Sequence, residues 1–379
     1  MSSWLNDSKE RKLLAKTLHE KHHKAKNKQD AANAAAEAQK IDDKWKTSCE
    51  DGKHNGKVRL CWTDLKNISD RIYTFQSDYG RELQDLVLDG IGLSSLGDIC
   101  KQCTHLKHLS LASNNIKDIS GIDNLRGLTR LNLLRNNLTQ LPTSIGILTN
   151  LTRLDLANNQ LTQLPDEFGQ LSKLTHLNLE SNELCELPLS FGKLKCEIVN
   201  LNSNSFAVFP DCVLGMSTMK QLSIMANQLS DLPVAIGSIL KNLEIFRASK
   251  NRIMIIPDSI VNLPLLHTLW LDFNRISALP VNFHRLQRLK VIKLEGNHDM
   301  IYPPLEIVAL GAEEVLRYSR SRLESSSLQR VRSIVQSLEG EYGAFFVVTC
   351  SSYDINFTHC FPYRGIEPGE EAPDWWRLA

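Results

Sequence analysis

Leu151-Thr-Arg-Leu-Asp-Leu-Ala-Asn-Asn-Gln-Leu-Thr-Gln-Leu-Pro165 is the stretch on which the fold turns. Leucines hold its first, fourth, sixth, eleventh and fourteenth positions, an asparagine its ninth and a proline its fifteenth. The same pattern, L-x-x-L-x-L-x-x-N-x-L-x-x-L-P, recurs along the chain. Its copies open at Leu83, Leu106, Leu128, Leu151, Leu174, Cys196, Met219, Leu243, Leu266 and Leu289, at steps of 22 to 24 residues. Self-similarity at one fixed period marks a repeat architecture, and ten in-register copies do not arise by chance.

The spacing within each copy dictates its local structure. The fourth and sixth positions share one face of an extended segment, because alternate strand residues point the same way. A short strand therefore turns its leucines inward. The ninth-position asparagine (Asn114, Asn136, Asn159, Asn182, Asn204, Asn227, Asn251, Asn274 and Asn297) falls where the chain leaves the strand. Its amide both donates and accepts, so it is expected to satisfy backbone groups of its own and the neighbouring coil. Pro142, Pro165, Pro188, Pro210, Pro233, Pro257 and Pro280 open a return segment that carries further apolar residues, such as Ile145 and Leu148, or Phe168 and Leu171. No single copy can bury its apolar edge alone. Stacked copies bury it together, giving an α/β solenoid with its strands in one parallel sheet on the concave side.

These copies identify the chain as similar to the leucine-rich repeats, and the fold this implies is their horseshoe. Leu141-Pro-Thr-Ser-Ile-Gly-Ile-Leu148 resembles the closing L-P-x-x-I-G-x-L of the intracellular Ras-group repeats. The copy at Leu106, continuing Ile116-Lys-Asp-Ile-Ser-Gly-Ile-Asp-Asn-Leu125, resembles instead the units of the protein-phosphatase-one regulators. Gly296-Asn-His-Asp-Met-Ile-Tyr-Pro-Pro-Leu-Glu-Ile-Val308 is similar to the terminal unit of Ras-group proteins, departing from it at His298 and Asp299. The resemblance spans about Leu83 to Tyr318. It implies a scaffold in small-GTPase or kinase signalling, with a phosphatase-regulatory subunit as the alternative.

Around residues 83–303, the ten repeats, the chain divides as follows. Residues 1–56 are charged and alanine-rich, and are expected to be a helical or disordered extension without an apolar stripe. Residues 57–82 carry a degenerate pattern (Val58, Leu60, Trp62, Leu65, Ile68, Ile72) expected to cap the first repeat. A C-terminal helical cap is expected over 304–339, opened by Pro303-Pro304. Its second half spaces Leu323, Leu328, Val331, Ile334 and Leu338 as one helical face able to fold back or to form a coiled coil. Residues 340–379, with nine aromatics between Tyr342 and Trp376, follow no pattern and stay unassigned.

Composition narrows the function. Lys and Arg (44) nearly cancel Asp and Glu (43), so no global field recruits nucleic acid or an anionic membrane. Eight Lys or Arg against four Asp or Glu in the first 30 residues read as a solvated charge run. The sequence opens without a secretory signal or a myristoylated glycine, ends without a prenylation box and holds no span of roughly 18 apolar residues. A cytoplasmic protein is expected, its nine cysteines free thiols and its sequons at Asn137, Asn150 and Asn356 unmodified.

Two motifs carry chemistry on paper. His19-Glu20-Lys-His-His23 matches the H-E-x-x-H of zinc hydrolases, with Glu20 as base. Its lysine-rich flanks offer neither a desolvated cleft nor a third ligand, so catalysis there is the remote reading. Cys100-Lys-Gln-Cys103 has metal or redox spacing but no second pair, and reads as buried core. No phosphate loop, nucleophile elbow or kinase motif is present. Neither an enzyme nor a bound cofactor or metal is expected.

Functional information should sit at the third, fifth, seventh and eighth positions, which the repeat leaves variable. Most are small or polar. One cluster is basic with an apolar member: Arg130, Leu134, Arg135 and Arg153. The other is aromatic and charged: Met225, Ile245, Arg247, Lys250, Trp270, Asp272 and Phe273. Aromatics beside arginine on a rigid surface are the composition of an interface hot spot, so a protein partner is expected on the concave face.

Overall fold

The computed structural model describes residues 57–59, 84–97, 99–322, 346–351 and 354–359. The extension at 1–56, with His19, Glu20 and His23, lies outside them, as do residues 60–82 and the stretch at 323–339. The chain divides into two compact units, Met1–Leu316 and Arg317–Ala379.

The first unit is a solenoid. Eleven three-residue strands form one open sheet in strictly sequential order, every neighbouring pair parallel. They are β1 (Lys57–Arg59), β2 (Asp85–Val87), β3 (His108–Ser110), β4 (Arg130–Asn132), β5 (Arg153–Asp155), β6 (His176–Asn178), β7 (Ile198–Asn200), β8 (Gln221–Ser223), β9 (Ile245–Arg247), β10 (Thr268–Trp270) and β11 (Val291–Lys293). Strands β2 to β11 each occupy the third to fifth positions of one copy. The register is unslipped: Leu131 pairs with Leu154 and Leu154 with Leu177. Fourth-position side chains therefore stack into a single buried spine, joined by sixth-position Leu133, Leu156 and Leu179.

The eighth position departs from expectation. Its residue takes a left-handed backbone in every copy with a non-glycine there: Ser113, Arg135, Asn158, Ser181, Ser203, Ala226, Lys250 and Phe273, all with φ between 53 and 58°. Gly90 and Gly296 do the same at the ends. The eighth position is thus not structurally free, because the chain must reverse there to bring the ninth residue under the sheet. An L side chain carries a conformational cost in that region, least for Gly, Asn and Asp.

The asparagine column works as its chemistry demands. Asn182 is 7% exposed. Its Oδ1 accepts from the Leu161 N–H at 3.0 Å, while its Nδ2 donates to the Leu156 and Leu179 carbonyls, also at 3.0 Å. Asn159 repeats the arrangement one coil earlier, with Leu138, Leu133 and Leu156. Each amide staples its own coil to the previous one.

Most return segments are 3₁₀ turns that start after the proline, as in Thr143–Ile147, Asp166–Gln170 and Leu189–Lys193. The unit at Leu106 has no proline and turns instead at Gly121 (φ 87°) into Ile122–Asn124. A second glycine requirement comes from packing. A Cβ on Gly192 would lie 2.6 Å from the Cys212 carbonyl oxygen of the next turn, and Gly146 meets the Glu167 carbonyl in the same way at 2.5 Å. The I-G-x-L motif therefore marks where neighbouring turns touch backbone to backbone. Inside, Phe168 and Phe191 stack with centroids 6.0 Å apart and planes 7° from parallel.

Cys100 lies in the short helix α1 (Ile99–Gln102) and Cys103 follows it; both are buried. Burial pushes the Cys100 thiol up to about 12, with Asp123 and Cys103 adding to it, and Cys103 up to about 11. They are core residues. The return segment of the seventh copy forms helix α2 (Ile236–Ile239), and after the last repeat come α3 (Leu305–Ala309) and helical residues 312–322. Val308, Ala312 and Val315 are buried. The second unit contains an antiparallel pair, β12 (Phe346–Ser351) with β13 (Asp354–His359), inside the segment the sequence left unassigned. No helix among the described residues is long and apolar enough to cross a membrane.

Candidate protein-binding face

Register converts the repeat into columns on the concave surface. The third position supplies Asp85, His108, Arg130, Arg153, His176, Ile198, Gln221, Ile245, Thr268 and Val291 in order across the sheet. The fifth supplies Asn132, Asp155, Asn178, Asn200 and Ser223, then Arg247, Trp270 and Lys293.

Trp270 is half-buried and lies on the sheet surface, outside the leucine spine. Its register neighbours are Arg247 and Lys293. The Arg247 Cζ sits 4.7 Å from the indole centroid and the Lys293 Nζ 3.9 Å from it. Two cations therefore clamp one ring, each drawn to the negative face of the indole. Like charges on alternate strands are held apart by the aromatic between them. The Trp270 Nε1 and the Arg247 Nε are buried without a hydrogen-bond acceptor, and burial pushes the Arg247 guanidinium below its usual value. A buried donor left unmatched is a cost that native structures seldom carry.

Phe273 is 54% exposed and stands at the left-handed eighth position with φ 54°. Its ring lies over Gly296, where a Cβ would come within 2.6 Å of Cδ1. The repeat imposes that conformation at every eighth position, and a bulky residue there carries a conformational cost that Gly296 avoids in the next coil. Around this pair stand half-buried Ile245 and Met225, exposed Lys250, and Val291 at 42% exposure. Asp272 accepts a 2.5 Å hydrogen bond from the Ser249 hydroxyl, which ties the seventh position to its neighbour.

The basic cluster divides. Arg130 and Arg153 are exposed register partners on β4 and β5. Leu134 and Arg135 stand apart from that column, at the strand end, with Arg135 in the left-handed turn (φ 55°). Sequence reasoning placed all four in one region, but Leu134 and Arg135 hold the seventh and eighth positions, so only Arg130 and Arg153, both third, share a column. It also stopped short of Lys293 and Val291. Counting five and three places from Leu289 would have found both, since they complete the columns of Trp270 and Ile245. Among the described residues no group of three or more His, Cys, Asp or Glu could hold a metal ion.

The repeats define the class, and sequence profiles agree. The profile described as "Leucine rich repeat" matches residues 126–184, and "Leucine Rich repeats (2 copies)" matches 104–145. The chain is a leucine-rich-repeat protein. No curated protein matches it by sequence. Among solved structures, it is similar to the plant peptide hormone receptor RGFR1 in complex with RGF2, at 26% identity and a TM-score of 0.53; the match covers 64% of this chain and 42% of the receptor chain. An internalin from Listeria monocytogenes is 20% identical, with a TM-score of 0.51 over 64% of this chain and 74% of its own. A leucine-rich-repeat protein of Leptospira interrogans is 25% identical, with a TM-score of 0.42 over 63% and 77%.

Proposed function

We propose that this protein is a non-catalytic scaffold whose concave sheet binds a partner protein through the patch centred on Trp270 and Phe273. The clamped indole beside the strained, exposed phenylalanine carries the reading. A rigid aromatic platform with its flanking cations already positioned loses little conformational entropy when a partner seats on it. A sheet held by one asparagine ladder offers such rigidity at every coil. The similarity to a receptor described in complex with its peptide hormone supports a peptide-like ligand on repeats of this type. Arg130, Leu134, Arg135 and Arg153 extend the surface toward the N-terminal coils. The Ras-group resemblance of the repeats favours a small GTPase or a kinase as partner class, in the cytoplasm.

Affinity capture with the wild type and with the Trp270→Ala/Phe273→Ser double variant, followed by direct binding to each captured protein, tests this. The double variant should fold, with an unchanged far-UV spectrum, and should lose its ligands by about tenfold or more in affinity. Equal affinity of both proteins for every ligand would overturn the reading.

A further inference from the structure

A second feature of the concave face lies away from the aromatic patch. His108, Arg130, Arg153 and His176 occupy consecutive places in the third-position column. Several charged side chains at the second and third positions pair across coils: His108 bonds to Asp85, Lys220 to Glu197 at 2.9 Å, and His267 approaches Glu244 at 3.8 Å. Arg130 and Arg153 are exposed, directly adjacent in register, and among the described residues neither forms an ion pair. Like charges facing each other on neighbouring strands repel, so the fold gains nothing from this arrangement. An anionic ligand would remove the repulsion.

The adjoining columns say which kind of anion. Two residues after Arg153 stands Asp155, at the end of β5, and four after His176 stands Glu180, just beyond β6. Burial raises the Asp155 carboxyl above its ordinary value, and Glu180 adds to the rise, while hydrogen bonds from the Ala157 N–H and the Asn178 amide oppose it. Glu180 Oε2 accepts from Asn200 Nδ2 at 2.9 Å. A nucleic-acid strand laid over the arginines would spread its phosphates onto these carboxylates. An extended peptide is narrow enough to keep to one column. Neighbouring strands are about 4.8 Å apart, so from β4 to β6 the column spans about 10 Å, the length of roughly three extended residues.

We propose that the third-position column binds an extended acidic peptide segment of the partner, two of its carboxylates facing Arg130 and Arg153 and the segment crossing the strands. This rests on the concave-face reading above, but it turns on Arg130 and Arg153 instead of the Trp270–Phe273 patch that carries that reading. Trp270 lies on β10, five strands from Arg153 on β5, or about 24 Å at the same spacing. About seven extended residues separate the two subsites, so one ligand segment can carry an acidic run at one end and an apolar anchor at the other.

The test uses a fluorescein-labelled decapeptide of alternating glutamate and serine, titrated by anisotropy at low and physiological salt. Wild-type protein should bind it, more weakly as salt rises. Arg130→Glu/Arg153→Glu should lose at least about tenfold in affinity, and Leu189→Ser, an exposed side chain on a return turn outside the sheet, should keep the wild-type value. No binding by the wild type at low salt, or undiminished binding by the double arginine variant, would overturn the proposal. So would tighter binding of a labelled single-stranded oligonucleotide through the same arginines. Loss of binding in the Trp270/Phe273 variant alone would instead place the acidic subsite at the aromatic patch. That result would leave the concave-face reading standing while removing this one.

Discussion

Replacing Asn182 with alanine strips one staple from the middle of the solenoid. The Leu161 N–H loses its acceptor, and the Leu156 and Leu179 carbonyls lose a donor. All three groups are buried beneath a side chain that is 7% exposed, too enclosed for bulk water to replace the amide fully. An orphaned buried group costs about 1–3 kcal/mol, and the carbonyls, each with a second lone pair, cost less than the N–H. The variant should therefore lose about 3–5 kcal/mol. Because coils interact only with neighbours, the loss should be felt first as local opening around Leu161. Hydrogen exchange read at the Leu161 amide, alongside urea unfolding, measures both. Gln160→Ala, beside the ladder asparagine of the previous coil (Asn159) and exposed, is the control and should change stability by less than about 0.5 kcal/mol. A loss under about 1 kcal/mol for Asn182→Ala, with the Leu161 amide still protected, would refute the ladder as the element that joins the coils.

Further predictions follow from single positions. Leu154→Ala empties a spine position that is 2% exposed and should cost about 2–5 kcal/mol, read as a lower urea midpoint. Of Cys100, Cys103, Cys185, Cys196 and Cys212 in the native protein, exposed Cys185 should react with a thiol reagent first, while Cys100, Cys103 and Cys196 react only on unfolding. Burial pushes the Cys196 thiol up to about 12 against an ordinary 9.0. A raised folded pKa means the folded state holds its proton longer than the unfolded chain. That contribution is fully present below about 9 and is lost as pH climbs toward 12, so stability should fall across this window and fall less in Cys196→Ala. Gly192→Val should disrupt the turn contact with Cys212 and lower the thermal midpoint, whereas Leu189→Ser, at a side chain 89% exposed, should not.

Much of the fold was legible in the sequence because period and chemistry coincide. A 22-to-24-residue step with leucine at the fourth and sixth positions admits one stacked parallel sheet, and the register found is the one those leucines require. The buried asparagines, and the buried cysteines of Cys100-x-x-Cys103, followed from donor and acceptor counts and from the lack of a second pair. The left-handed eighth position was hidden, because Ser, Asn, Arg, Lys, Ala and Phe share no side-chain signature. Only the glycines at Gly90 and Gly296 hinted at it. The Trp270 clamp was half legible: Arg247 was visible, but Lys293 belongs to the last coil and becomes a neighbour only when strands are laid side by side. Strands β12 and β13 carried no repeat and stood among aromatics, so pattern reading had nothing to grip.

Hydroxyl-radical footprinting of the protein with and without a ligand obtained by capture reads the concave face most directly. Phe273, Met225, Trp270 and Ile245 should become protected from oxidation in the complex, while Leu189 and Val234 on the return turns stay as reactive as in the free protein. Protection of Leu189 and Val234, with Phe273 still oxidised at its free rate, would contradict the assignment of binding to the sheet.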